Sequence, residues 1–160
     1  LNNVEGLENP TAEILASYIF EKLKPSLANL QAVMVNETLD SACSYKGGNI
    51  WGVFKAFELE SALPHGDSFL GRSLRIRLGI EKELDPDLGW TLDFAQIKSW
   101  FRPIKNRLDH HNLGEIDGRD LSQLRELGQW IFCETLEFIP GLKSIEIEDS
   151  AAGGMILERL

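Results

Sequence analysis

The stretch Leu108-Asp109-His110-His111-Asn112-Leu113, preceded by Gly89-Trp90-Thr91-Leu92-Asp93-Phe94, carries the reading of this chain. Between the two blocks Phe94, Ile97, Phe101, Ile104 and Leu108 recur at helical spacing, which predicts an amphipathic helix kinked at Pro103. Adjacent residues diverge on a helix, so Asp109 and His110 are expected just past its end. A carboxylate beside an imidazole fixes the ring tautomer and stabilises its protonated form, which suits proton transfer near neutral pH. The plainer reading is a polar helix terminus where His meets the negative end of the dipole. His111 reads as a surface neighbour.

Working outward, Ile50 to Leu63 and Ser73 to Leu84 read as two strands joined by the turn Pro64-His65-Gly66-Asp67-Ser68. The second strand alternates Leu74, Ile76, Leu78 and Ile80 inward against Arg75 and Arg77 outward. After the central block, Leu124, Leu127, Ile131 and Thr135 define a second helix, with Leu121 near its start. Ser144 to Asp149 and Met155 to Leu157 read as two final strands. Upstream, Leu1 to Leu7 reads as a loop. Asn9-Pro10 then opens a helix through Ile14, Leu15, Tyr18, Ile19 and Leu23, closed by Pro25. Ala32 to Glu37 is a strand with Val33, Val35 and Glu37 on one face, Ser41 to Lys46 is its hairpin partner, and Gly47-Gly48 ends the segment.

The upstream segment repeats the downstream one. Tyr18-Ile19-Phe20 matches Trp130-Ile131-Phe132, Val33 and Val35 match Ile145 and Ile147, and Glu37 matches Asp149, each pair 112 positions apart. This predicts a tandem repeat: the second half of a first unit over 1–48 and a complete second unit over 49–160. The first half of repeat one is expected upstream of Leu1, ending in an Asp-His pair of its own.

The blocks resemble the signature of the 6-pyruvoyl and 6-carboxy tetrahydropterin synthases, in which Gly-x-x-x-Asp-Phe leads through a helix to Leu-Asp-His-x-x-Leu. Gly6-Leu7-Glu8-Asn9-Pro10-Thr11-Ala12-Glu13 resembles that family's next helix start, and Val35-Asn36-Glu37-Thr38 its pterin-anchoring strand. The resemblance implies an α+β tunnelling fold (T-fold), a four-stranded antiparallel sheet with two helices on one face in the order ββααββ. Open sheet edges favour joining of units, so a homo-oligomer with sites between units is expected. It also implies that Asp109 and His110 are the catalytic pair. Glu37 would hold the amino-pyrimidine edge of a pterin through two acceptor oxygens, with Thr38 beside it. Thr11 reads as a capping residue, and Asp149, one methylene shorter than Glu37, as a weaker anchor.

Zinc is expected from the family, but this chain offers no ligand set for it. The three family histidines fall on Leu63, Leu70 and Arg72; Leu has no donor atom and Arg ligates no zinc as a cation. His65 is a single imidazole in a turn, the family Cys is missing, and Cys43 and Cys133 read as packed thiols. Arg72 shares the parity of Leu74 and Ile76 and is read as an anion contact, with snorkelling to solvent as the other reading. The implied activity is a carbon–oxygen lyase that removes triphosphate from a dihydropterin triphosphate, in biopterin or queuosine-type synthesis. On that reading the absent half of repeat one brings zinc ligands and Cys. The alternative is a non-catalytic T-fold protein that binds a pterin or purine, or only supports an oligomer.

Sixteen Lys and Arg against twenty-five Asp and Glu give a formal charge of -9, which disfavours nucleic acid and anionic membrane as partners. Two cysteines without paired spacing and the lack of any long apolar run lead to the expectation of a cytoplasmic protein.

Overall fold

A computed structural model describes residues 3–151 and 153–159, so the loop expected over Leu1 to Leu7 is seen from Asn3 onward. The elements run α1 (Ala12–Leu23), β1 (Val33–Asn36), β2 (Ser41–Tyr45), β3 (Trp51–His65), β4 (Ser68–Lys82), α2 (Phe94–Leu108), α3 (Leu124–Leu136), β5 (Leu142–Asp149) and β6 (Gly153–Glu158), with a short 3-10 turn at Leu113–Glu115. The strands form a six-stranded antiparallel sheet in sequence order β1-β2-β3-β4-β5-β6. The β3–β4 hairpin reaches further than its residues suggest. Pro64 and His65 remain in strand, and the reversal is made at Gly66-Asp67, where Gly66 takes φ 58.

The chain divides into two compact units, residues 1–55 with 80–94 and residues 56–79 with 95–160. In the first, α1 packs on β1 and β2. Its core is Ala16, Phe20, Tyr45 and Trp51, flanked by Val33, Val35 and Leu84. The rings of Phe20 and Tyr45 meet edge-on at 5.3 Å, and Tyr45 and Trp51 lie 4.9 Å apart. Such pairs add about 1 kcal/mol each beyond the area they bury.

Of the two caps expected at the start of α1, Asn9 and Thr11, the structure uses Thr11. Thr11, not Asn9, is the N-cap: its Oγ1 accepts from Ile14 N at 3.2 Å and donates to Gly89 O at 2.6 Å. Asn9 Nδ2 donates to Leu88 O instead. The helix start is thereby tied to the 83–93 loop of the same unit. Gly89 itself takes φ 74, and a Cβ there would lie 2.8 Å from Asn9 Nδ2, so a side chain at this position would strain the backbone and displace the Asn9 amide.

In the second unit the predicted stripe of α2 is realised, with Ile97, Phe101, Ile104 and Leu108 buried. The helix runs through Pro103. Phe57 stacks on Phe101 at 4.4 Å. Leu74, Ile76 and Leu78 of β4 are buried as the alternation requires. The intervening Arg75 and Arg77 pair with Glu58 and Glu148, and with Glu146. Helix α3 packs on β5 and β6. There Gly128 allows Met155 and Leu157 to approach, since a Cβ would meet Leu157 Cδ1 at 2.9 Å.

Candidate functional site

The first unit contains a cavity of about 520 Å³ lined by the start of α1, the end of β1 and the segment leading into α2. Pro10, Leu15, Val35, Leu92 and the rings of Trp90 and Phe94 make its walls mainly apolar. That volume and lining suit a small flat organic molecule. Glu37, at the end of β1, is exposed and lines the cavity. A tight turn holds it there: Glu37 N and Thr38 N both donate to Ser41 O, at 3.0 and 3.2 Å. The Thr38 hydroxyl accepts from Asp40 N at 3.2 Å, so it shapes this turn.

A second carboxylate lines the same cavity. Glu13, in the first turn of α1, is 5 % exposed, and its Oε1 accepts from both Thr91 N (3.0 Å) and Thr91 Oγ1 (3.1 Å). Its main-chain O accepts from Trp51 Nε1. Glu13 therefore fixes the segment carrying Trp90, Leu92 and Asp93, while Glu37 is left to solvent or to a ligand. The sequence reading named Glu13 only as part of a helix start. A buried lysine was also missed: Lys55 Nζ donates to Ser41 Oγ at 2.9 Å, with Asp40 Oδ2 at 4.0 Å and the Phe94 ring at 5.9 Å.

Cys43, paired with Val35 in the β1–β2 register, is wholly buried. Burial first, then the neighbouring Glu13 carboxylate and Glu37, push its thiol far above the ordinary range, so it stays protonated at neutral pH. It is a packed thiol, as expected. Cys133 is exposed. In the folded protein a thiol reagent such as DTNB should therefore titrate one cysteine, and a denaturant should expose the second. Reaction of both in the native state would contradict this placement.

In the second unit Asp109 and His110 follow the last residue of α2, as predicted. Asp109 Oδ1 accepts from Glu60 N at 2.9 Å, and its Oδ2 lies 3.7 Å from Lys105 Nζ. The carboxylate thus braces the turn against β3. His110 takes a left-handed φ of 59, its N–H donates to Glu60 O, and its side chain is exposed. His111 Nδ1 lies 2.8 Å from Asp109 O.

The positions expected for zinc do not fit it. Leu70 is 49 % exposed, Leu63 is half-buried, and Arg72 Nε lies 3.0 Å from Asp149 Oδ2. Among the described residues no group of three or more His, Cys, Asp or Glu is arranged to hold a metal. Where the resemblance implies a metal, Arg72 places a cation facing the counterpart of Glu37.

The three helices and the six-stranded antiparallel sheet are those of a tunnelling-fold protein. The chain belongs to the 6-pyruvoyl tetrahydropterin synthase family, whose sequence model matches residues 1–48 and 62–158. Solved structures agree on the fold. The 6-pyruvoyl tetrahydropterin synthase of Caenorhabditis elegans superimposes with a TM-score of 0.59 at 15 % identity, over 69 % of this chain and 96 % of that one. The Plasmodium falciparum enzyme of the same name gives 0.52 at 15 % identity, over 70 % and 99 %. The Plasmodium vivax enzyme gives 0.53 at 14 % identity, also over 70 % and 99 %. Among the described residues no helix is long and apolar enough to cross a membrane.

Proposed function

We propose that the cavity of the first unit holds a pterin ring and that Glu37 is its anchor. One observation carries this reading: an exposed carboxylate lines a cavity of about 520 Å³ with mainly apolar walls, while its neighbour Glu13 is already committed to Thr91. A pterin presents an amine and a ring N–H side by side. A carboxylate accepts both, and Trp90 and Phe94 offer the ring apolar contact.

On this reading the protein is a tetrahydropterin synthase-like lyase acting on a dihydropterin triphosphate. Asp109 and His110 of a neighbouring subunit complete the site on assembly, with His110 exchanging the proton and Asp109 holding the turn that presents it. Apart from the two compact units, we read the chain as a tandem T-fold repeat, in which residues 1–48 give the second half of one repeat and residues 49–160 a complete one. The order β3-β4-α2-α3-β5-β6 after α1-β1-β2 supports that division. Leu63, Leu70 and Arg72 supply no zinc ligand, so the metal that the resemblance implies is not held by these positions.

The second reading, a pterin binder without catalysis, is favoured by that loss of ligands. Release of triphosphate from dihydroneopterin triphosphate separates the two. The left-handed backbone at His110 supplies a matched variant. His110→Gly relieves a φ that costs an L-residue roughly 1–2 kcal/mol and so keeps the fold. A lyase should lose turnover in this variant while still binding the pterin. Full turnover in His110→Gly would remove His110 from the mechanism, and absence of turnover in the wild type would leave the binder.

A further inference from the structure

The second unit has a cavity of its own, of about 830 Å³. Its lining combines Leu63, Leu124, Met155 and Leu157 with Arg72 and Arg125, and among the described residues Glu126 is the one carboxylate in that lining. It sits at the start of α3 as the first cavity sits at the start of α1: Ser122 to Glu126 follow Pro10 to Ile14 by 112 positions. Its chemistry is opposite in sign. Asp149, the counterpart of Glu37, has a side chain only 2 % exposed, and Arg72 Nε lies 3.0 Å from its Oδ2.

That pair fixes Arg72 without exhausting it. The Arg72 side chain is 15 % exposed, and its buried Nε makes no hydrogen bond of good geometry in spite of the short distance to Asp149. The two Nη groups make no hydrogen bond with the described residues, so a planar fork of donors is left for a ligand. The helix start adds to this. Thr11 caps α1 with its hydroxyl, but Gln123 caps α3 with no side-chain hydrogen bond, which leaves first-turn amides at residues that line the cavity.

We propose that this second cavity binds a small organic anion, an apolar body bearing a carboxylate or phosphate group, with Arg72 as its anchor and Arg125 as a supporting cation. The apolar residues in the lining call for more than a bare inorganic ion. The inference does not depend on what the first cavity holds.

The full-length protein is titrated separately with phenyl phosphate and with benzoate, followed by ligand-observed NMR and calorimetry. At least one should bind in the millimolar range or tighter, and the better of the two identifies the head group. Arg72→Met combined with Asp149→Asn removes the anchor without stranding a buried charge. It should weaken binding about tenfold or more, the expected loss of a charge-assisted pair of hydrogen bonds. Glu37→Gln should leave anion binding unchanged, which separates this site from the pterin reading. If the double variant does not fold, Arg125→Gln, at an exposed position, should still weaken binding several-fold. Failure of both anions to bind the wild type, or full binding in the folded double variant, would overturn the proposal; if only Arg125→Gln can be tested, unchanged binding in it would do so.

Discussion

Glu37→Gln is expected to weaken binding of 7,8-dihydroneopterin about a hundredfold, the largest effect foreseen from a single substitution at the first cavity. A carboxylate accepts two hydrogen bonds from the amine and ring N–H of a pterin. A glutamine accepts one and turns its own N–H toward the other donor. Losing a charge-assisted bond and leaving a donor unpaired costs about 3 kcal/mol together, which is the hundredfold. Glu37 is exposed, and its turn is made by main-chain bonds to Ser41, so the variant should melt like the wild type. Fluorescence titration of the pterin against both proteins is the check, and equal affinity would show that Glu37 is no anchor.

Arg72→Met alone should carry the largest cost to stability among the polar positions. It takes from Asp149, with its side chain 2 % exposed, the guanidinium whose Nε lies 3.0 Å from its Oδ2. Removing one partner of a buried ion pair costs about 3 kcal/mol, or a Tm lower by roughly 10 °C in a chain of this size. Adding Asp149→Asn should recover most of the loss, because the amide is neutral and its oxygen can still accept from Ala151 N, now 2.8 Å from Oδ1. Thermal melts of the single and double variants decide the matter. A double variant no more stable than the single would mean that Arg72 matters for packing and not for charge.

Much of this was legible in the chain because it rests on local periodicity. The α2 stripe, the alternation of Leu74, Ile76 and Leu78 against Arg75 and Arg77, and the turn after Leu108 all follow from spacing alone. The parity of Arg72 placed it on the inward side of β4, but its partner Asp149 is 77 positions away and nothing in the sequence joins them. Glu13 was hidden for the same reason: its hydrogen bonds come from Thr91, 78 positions on. The choice between two caps is more local. Asn9 and Thr11 are both good caps, and the choice fell to Thr11 because the 83–93 loop supplies Gly89 O to its hydroxyl and Leu88 O to the Asn9 amide. Lys55 could have been suspected from a charged residue set between Phe54 and Ala56, although only the structure supplies Ser41 and Phe94 around it.

A crystal structure of the full-length protein soaked with 7,8-dihydroneopterin would show whether Glu37 anchors a pterin. The ring is expected in the first cavity, with its amine and ring N–H about 3 Å from the two Glu37 oxygens. A ring bound with Glu37 still facing solvent, or held beside Arg72 instead, would contradict it.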